Sequence, residues 1–161
     1  MKNLILVRHA NSSWEVPIQD KNRILTTQGI ADAHLVSTLA KDYIPKTYTV
    51  WASTAKRATN TALIFAQNFG YPLENIVYKN GLYTFDEHKL EKIIKSCNNL
   101  LQNVIVFSHN NAITNFVNKF GDIFIDNVST SGFVSIKFDV EDWNTIKKGK
   151  INKIIFPKEL R

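Results

Sequence analysis

The chain predicts an α/β fold organised on a mainly parallel sheet, and three observations lead there. Two short, unbroken apolar runs, Leu4-Ile5-Leu6-Val7 and Val104-Ile105-Val106-Phe107, have the composition of strands covered on both faces, where no polar alternation is needed. Segments with helical spacing of apolar residues separate the strand-like runs, the order that βαβ units require. Each run also breaks abruptly into polar, chemically capable residues, Arg8-His9 after the first and Ser108-His109-Asn110 after the other. In open α/β sheets the crevice beyond the carboxyl ends of the strands is where ligands bind.

Taken in order, the first strand is followed by a polar excursion from Asn11 to Asn22, interrupted by Pro17 and expected on the surface. Thr26 or Thr27 then caps a helix running to about Tyr43, with Ala33, Val36, Leu39, Ala40 and Tyr43 on one face and Pro45 closing the region. A second strand is expected from Tyr48 to Ala52, ending at Ser53. The clearest helix starts at Thr54, because Ala58, Ala62, Phe65, Ala66 and Phe69 share one face and Gly70 stops it. Arg57 falls in its first turn, within reach of the edge that carries Arg8 and His9.

Ile76-Val77-Tyr78 forms a short strand and Gly81 to Phe85 a loop. Thr84 or Asp86 caps a helix bearing Leu90, Ile93, Ile94, Cys97 and Leu101. The run at 104 to 107 is the next strand, and Ile113, Phe116, Val117 and Phe120 mark the helix after it. Gly132 to Phe138 alternates in polarity and Ile151 to Phe156 supplies a last strand. These two extend the sheet or add an antiparallel edge.

The 161 residues fit one unit, 1–161, with no linker, repeat or low-complexity stretch. Only four strongly apolar residues follow Met1-Lys2-Asn3, too few for a secretory core or a membrane span, and the single cysteine allows no internal disulfide. A cytoplasmic location without membrane association is therefore expected. Lys and Arg exceed Asp and Glu by 20 to 14, giving a net charge of +6 that favours anionic partners. The densest patch, Lys147, Lys148, Lys150 and Lys153, reads as a solvated face, and no basic-aromatic nucleic-acid motif is present.

Three strand ends thus carry groups that can meet in one crevice: Arg8 with His9, Ser53 with Arg57, and Ser108 with His109 and Asn110. Two guanidinium forks and the start of a helix suit a phosphoryl group, which brings about −1.5 to −2 charge and three acceptor oxygens. There is no Walker sequence, glycine-rich phosphate loop or cluster of metal ligands, so no cofactor or metal is expected. Cys97 is placed in mid-helix with Asn103, not arginine, six residues later, which removes cysteine-based phosphate chemistry. Histidine remains as nucleophile. A neutral imidazole attacks phosphorus through one nitrogen when a backbone carbonyl holds the other as a donor. His9 takes that role, with Arg8, Arg57 and His109 on the phosphoryl oxygens. Asn11, Ser12, Ser53 and Asn110 are candidate donors to the same group, though capping and turn roles explain them equally. Trp51 and Trp143 read as packing residues, Trp14 as a candidate rim residue, and His34 and His88 carry no assignment.

Val-Arg-His-Ala at 7 to 10, Arg-x-Leu-Thr-x-x-Gly at 23 to 29, Ser-x-x-x-Arg-Ala-x-x-Thr at 53 to 61 and Ser-His-Asn at 108 to 110 resemble the histidine phosphatase superfamily. The compact SixA-type phosphohistidine phosphatases are the nearest in kind, through Arg-His-Ala-x-Ser-Ser-Trp, Leu82-Tyr83 and the tail Ser-x-x-Gly-Phe-Val. The resemblance implies a phosphoglycerate-mutase-like three-layer α/β/α sandwich without a large cap. It implies His9 as nucleophile, Arg8, Arg57 and His109 as the phosphate pocket, and Arg23 as a further pocket residue, while Ser108, in the second histidine motif, is another candidate for substrate binding.

The chain also departs from that pattern. Ser108-His109-Asn110-Asn111 stands where relatives usually carry Gly-His-Asn-Pro, so a differently shaped turn is expected there. Ala10 replaces the glycine of many relatives, as is usual in the compact subgroup. The general-acid glutamate that mutases and sugar phosphatases carry after the third strand is replaced by Leu82-Tyr83-Thr84-Phe85-Asp86. Asp86 and Glu87 remain as candidate proton donors, although capping accounts for them. An alkoxide leaving group needs a proton, whereas a phosphorylated imidazole departs from a nitrogen that protonates near neutral pH. The expected substrate is therefore phosphohistidine on a protein. A small phosphorylated molecule is the alternative, and a non-catalytic phosphate-binding or nucleic-acid-binding module the competing class.

Overall fold

The computed structural model describes residues 1–15 and 17–161. Among the described residues, strands and α-helices alternate up to α4 and two strands follow: β1 (Lys2–Arg8), α1 (Thr27–Ala40), β2 (Thr49–Ser53), α2 (Lys56–Phe69), β3 (Val77–Lys79), α3 (Glu87–Lys95), β4 (Asn103–Ser108), α4 (Ala112–Phe120), β5 (Phe133–Phe138) and β6 (Lys150–Ile155). The sheet has six strands in the order β3-β2-β4-β1-β5-β6. The pairs β3-β2, β2-β4 and β4-β1 are parallel, while β5 pairs antiparallel with both β1 and β6. The two late strands thus form an antiparallel edge on a parallel sheet.

Alternation along each strand divides the core into two layers. Leu4, Leu6, Val104 and Val106 face one side and pack with Leu90 and Ile94 of α3 and Ile113, Phe116 and Val117 of α4. Ile5, Val7, Ile105 and Phe107 face the other, against Ala33 and Val36 of α1 and Ala62, Phe65 and Ala66 of α2. Helices on both faces explain why β1 and β4 are continuously apolar, and together they complete the three-layer α/β/α arrangement.

Local chemistry sets the element ends. The Thr26 hydroxyl accepts from Gly29 N at 2.9 Å and caps α1. A Cβ on Gly29 would collide with the Asn11 carbonyl, so the first turn of α1 lies directly on the chain leaving β1. That fits the glycine of the Arg-x-Leu-Thr-x-x-Gly run, whose Thr26 N also donates to Asn11 O at 3.0 Å. Gly70 ends α2 in the left-handed region at φ +74°.

Three boundaries differ from the sequence reading. α1 stops at Ala40, and Lys41–Tyr43 forms a separate 3-10 turn that leaves Tyr43 exposed rather than on the buried face. α2 starts at Lys56 because the Ser53 hydroxyl accepts from Ala55 N at 3.2 Å and holds residues 54 and 55 in a turn. α3 stops at Lys95, so Cys97 lies just beyond the helix instead of within it. Cys97 is nonetheless buried in the core, and burial pushes its thiol up to about 12, which still removes it as a nucleophile at neutral pH.

The register decides where the chemistry goes. Arg8 pairs with Ser108, and Ala52 with Phe107, so β1, β2 and β4 end at one level on one edge of the sheet. Among the described residues, no helix is long and apolar enough to cross a membrane.

Candidate active site

His9 follows β1 directly. Its backbone N donates to Ser108 O at 3.1 Å, and Ser131 N donates to its carbonyl, so the turn is fixed from the end of β4 and from the loop that leads into β5. The imidazole Nδ1 lies 2.7 Å from the carbonyl of Ala10. A carbonyl only accepts, so the network assigns the proton to Nδ1 and leaves a lone pair on Nε2. This is the arrangement the sequence argument asked of a histidine nucleophile. Burial first, and then the charges of Arg57, Arg8 and Arg23, hold the His9 pKa down at about 3, outweighing the Ala10 carbonyl, so the ring is neutral at pH 7.

Arg57 arrives from the first turn of α2 and is fully buried. Its Nε points at His9 Nε2 at 3.4 Å. Thr61, one turn later, ties the two together: its hydroxyl donates to Arg57 O at 2.7 Å and accepts from Ala10 N at 2.9 Å. Arg8 lies at the end of β1 with one terminal nitrogen on Val128 O at 3.0 Å and a buried Nε without a partner. Unpaired buried donors are costly, and an incoming anion would satisfy them.

His109 is wholly buried, its ring centroid 5.2 Å from that of His9. Its Nε2 lies 2.8 Å from Ser53 Oγ, and its Nδ1 has no partner. Because Ser53 Oγ already accepts from Ala55 N, its own proton is available to His109 Nε2. In the tautomer that accepts the Ser53 proton on Nε2, His109 carries its own on Nδ1, a second donor without a partner, beside His9. Burial chiefly, then the neighbouring His9 and Arg57, lowers its pKa to about 2.

Arg23 is buried beside the same cluster. It donates to Asp20 Oδ1 at 2.9 Å, to Ser13 O at 3.2 Å and to the hydroxyl of Ser12, while the exposed Trp14 ring covers the guanidinium at 3.3 Å. Trp14 is therefore a rim residue held by a cation–π contact.

Several expected ligands have other work. The Ser108 hydroxyl is buried and donates to Leu82 O at 2.7 Å, so it fixes the loop after β3 rather than meeting a substrate. Ser53 acts on His109. Asn110 uses its amide oxygen on Thr114 N and Oγ1 and its nitrogen on Asn127, which makes it the organiser of the α4 start. Asn11 is exposed and meets the site's framework through its backbone carbonyl alone. Asp86 caps α3 by accepting from His88 N at 3.0 Å, and neither it nor Glu87 makes a hydrogen bond or ion pair with the histidine–arginine cluster.

The carboxylate that does reach the cluster is Asp20, from the surface excursion. Its Oδ2 takes Arg57 at 3.0 Å and the Tyr83 hydroxyl at 2.5 Å, its Oδ1 takes Arg23, and its backbone oxygen takes Arg57 again at 2.8 Å. Desolvation works against its charge, but the hydrogen bonds from Tyr83, Arg57 and Arg23 and the Arg57 charge prevail and hold its pKa at about 2. Tyr83 keeps its proton, its pKa raised by burial and by Asp20. Asp20, Tyr83 and Thr61 were missed as site residues. Only the three-residue spacing from Asp20 to Arg23 hinted at the first, and Tyr83 stood in view in the Leu82–Asp86 stretch. Among the described residues, no group of three or more His, Cys, Asp or Glu side chains is placed to hold a metal ion.

Residues 4–83 match the model of the histidine phosphatase superfamily (branch 1). The structure of the protein histidine phosphatase SixA complexed with tungstate superposes with a TM-score of 0.83 at 20% identity, over 99% of each chain. A provisionally assigned phosphohistidine phosphatase SixA from Agrobacterium tumefaciens gives 0.78 at 23% identity, over 97% of this chain and 99% of that one. Phosphoserine phosphatase from Entamoeba histolytica, solved with 3-phosphoglyceric acid, gives 0.66 at 16% identity over the whole of both chains. At such identities the likeness to these structures is one of fold. No curated protein sequence matches the chain.

Proposed function

We infer that the chain is a histidine phosphatase, a hydrolase of phosphoryl groups that works through a phosphorylated His9 and acts on phosphohistidine in a protein. The observation that carries this reading is the state of His9: Nδ1 held by the Ala10 carbonyl at 2.7 Å, and an unprotonated Nε2 that accepts from the Nε of a buried guanidinium at 3.4 Å. The superfamily match over residues 4–83 and the SixA-type fold support the phosphatase class.

In the proposed sequence the phosphoryl group binds with its oxygens on Arg8, Arg57 and His109 Nδ1, and Arg23 adds charge from the rim. His9 Nε2 attacks phosphorus in line while the bond from phosphorus to the substrate nitrogen breaks. The departing nitrogen takes a proton from water or leaves as a neutral imidazole. Phospho-His9 then carries a positive ring whose Nδ1–H remains on the Ala10 carbonyl. Water attacks phosphorus, the bond to Nε2 breaks and phosphate leaves with the proton from water. Positioning and fixed positive charge do the catalysis, as phosphoryl transfer requires.

The substrate class follows from the missing acid. The carboxylate at the cluster, Asp20, is ionised at any pH near neutrality, and Tyr83 holds its proton more tightly than an ordinary phenol. Neither suits protonation of an alkoxide, whereas a phosphorylated nitrogen needs little help. The reading takes residues 1–161 as one catalytic unit without a cap, free of metal, in the cytoplasm. Turnover of a phosphohistidine peptide should proceed in chelator, exceed that of a simple phosphomonoester, and disappear in His9→Ala along with phosphoryl labelling. An active His9→Ala enzyme would refute the mechanism. Preference for the monoester would move the substrate to the small-molecule class.

A further inference from the structure

Asp20 belongs to the polar excursion between β1 and α1, yet it hydrogen-bonds two of the arginines of the cluster, Arg23 and Arg57. Its geometry on Arg57 is specific. A guanidinium has two bidentate edges, the outer one formed by its two terminal nitrogens and the side one formed by Nε and the inner hydrogen of Nη2. Asp20 takes the outer edge with two of its own oxygens, the backbone oxygen on Nη1 at 2.8 Å and Oδ2 on Nη2 at 3.0 Å. The side edge is turned to His9 instead, its Nε donating to His9 Nε2 at 3.4 Å.

We propose that Asp20 is the positioning residue that sets the roll of the Arg57 guanidinium, so that its side edge meets the phosphoryl group being transferred to His9. This rests on His9 being the nucleophile.

The alternative, that the carboxylate plugs the phosphoryl seat and leaves when substrate comes, fits the contacts less well. The outer edge is held partly by a backbone oxygen, which moves only if the 3-10 turn Asp20–Asn22 moves with it. That turn is closed by Asn22 N on Gln19 O and by Arg23 N on Asp20 O, at 2.9 and 3.2 Å. Each carboxylate oxygen is also anchored away from Arg57, Oδ1 by Arg23 and Oδ2 by Tyr83. Charge agrees with a brace that stays. Arg8, Arg57 and Arg23 with Asp20 leave a net +2 around His9, the complement of a phosphoryl dianion.

A double-mutant cycle decides whether Asp20 acts through Arg57. Asp20→Asn keeps the size of the side chain and loses the charge, and Asp20→Ala serves as its check, with thermal unfolding reporting the fold of each. In the otherwise unchanged protein Asp20→Asn should lower kcat on a phosphohistidine peptide at least tenfold. In an Arg57→Ala background the same change should alter kcat less than threefold. Calorimetric binding of inorganic phosphate across the same four proteins should be non-additive by at least threefold. Additive effects in both measurements overturn the proposal, and so does a rise in kcat in Asp20→Asn, which is the result a plug would give. If the unchanged protein turns over no phosphorylated substrate, the functional reading fails by itself. The phosphate cycle then decides the brace alone, with coupling supporting it and additivity overturning it.

Discussion

Acidification should destabilise this protein steeply, and the cause lies in two side chains. His9 and His109 are buried beside arginines, with pKa values of about 3 and about 2. In the unfolded chain each returns to about 6.5. Below that pH the unfolded state takes up a proton at each histidine and the folded state does not. Stability is therefore full above 6.5 and falls as the pH drops toward the folded values. Once well below 6.5 each group removes about 1.4 kcal/mol per pH unit, and allowing for the rounded corner near 6.5, each withdraws about 2 kcal/mol between pH 7 and pH 5. The pair withdraws about 4 kcal/mol, a large part of the ~5–15 kcal/mol that a typical domain possesses.

Asp20, held by its partners at about 2, follows the same sign at a lower pH: it adds stability above its unfolded pKa of about 3.9 and loses it only as pH falls below that. It therefore stays out of the window. Urea unfolding followed through the buried Trp51 and Trp143 is the assay. With a slope of about 2 kcal/mol per molar, the midpoint should move down by about 2 M between pH 7 and pH 5. His9→Asn and His109→Asn should each halve that movement. A wild-type midpoint that is flat over this range, or variants that keep the full movement, would refute the assignment of neutral, charge-crowded histidines.

Other substitutions test the framework. Arg57→Ala should cut kcat by about 10²- to 10³-fold, as loss of one preorganised donor to a developing charge does, measured on the phosphohistidine peptide in chelator. Ser53→Ala strands Ala55 N–H and releases His109 Nε2, so about 1–3 kcal/mol of stability should go by urea titration, with unchanged stability arguing against the bond. Gly29→Ala drives a methyl into the Asn11 carbonyl and should cost about 1–3 kcal/mol, read as a lowered Tm, because backbone rather than a side-chain tip must give way.

The parallel strands, their helices and the histidines at the strand ends were legible in sequence because burial on both faces leaves an unbroken apolar run that stops where the sheet stops. Arg57 was legible for a similar reason: it falls four residues after Ser53, in the first turn of the clearest helical pattern, so it had to stand near the end of that strand. Boundaries were less so, as at Tyr43 and Cys97, since the apolar stripe continues past the residue where the helical hydrogen bonds end. Asn110 and Ser108 carried a plausible chemistry that the fold spends on the α4 turn and the Leu82 carbonyl.

Sequence by itself determined which groups stand at the carboxyl edge, because strand and helix periodicities are local and each ends at a recognisable residue. Tertiary structure decided how those groups are aimed. Asp20 is 37 positions from Arg57 and 63 from Tyr83, in a polar stretch with no periodicity, so its contacts depend on the path of a surface excursion across the end of the sheet. The same holds for the unpartnered Nδ1 of His109. A hydrogen bond's direction is a relation between elements, and only their packing fixes it.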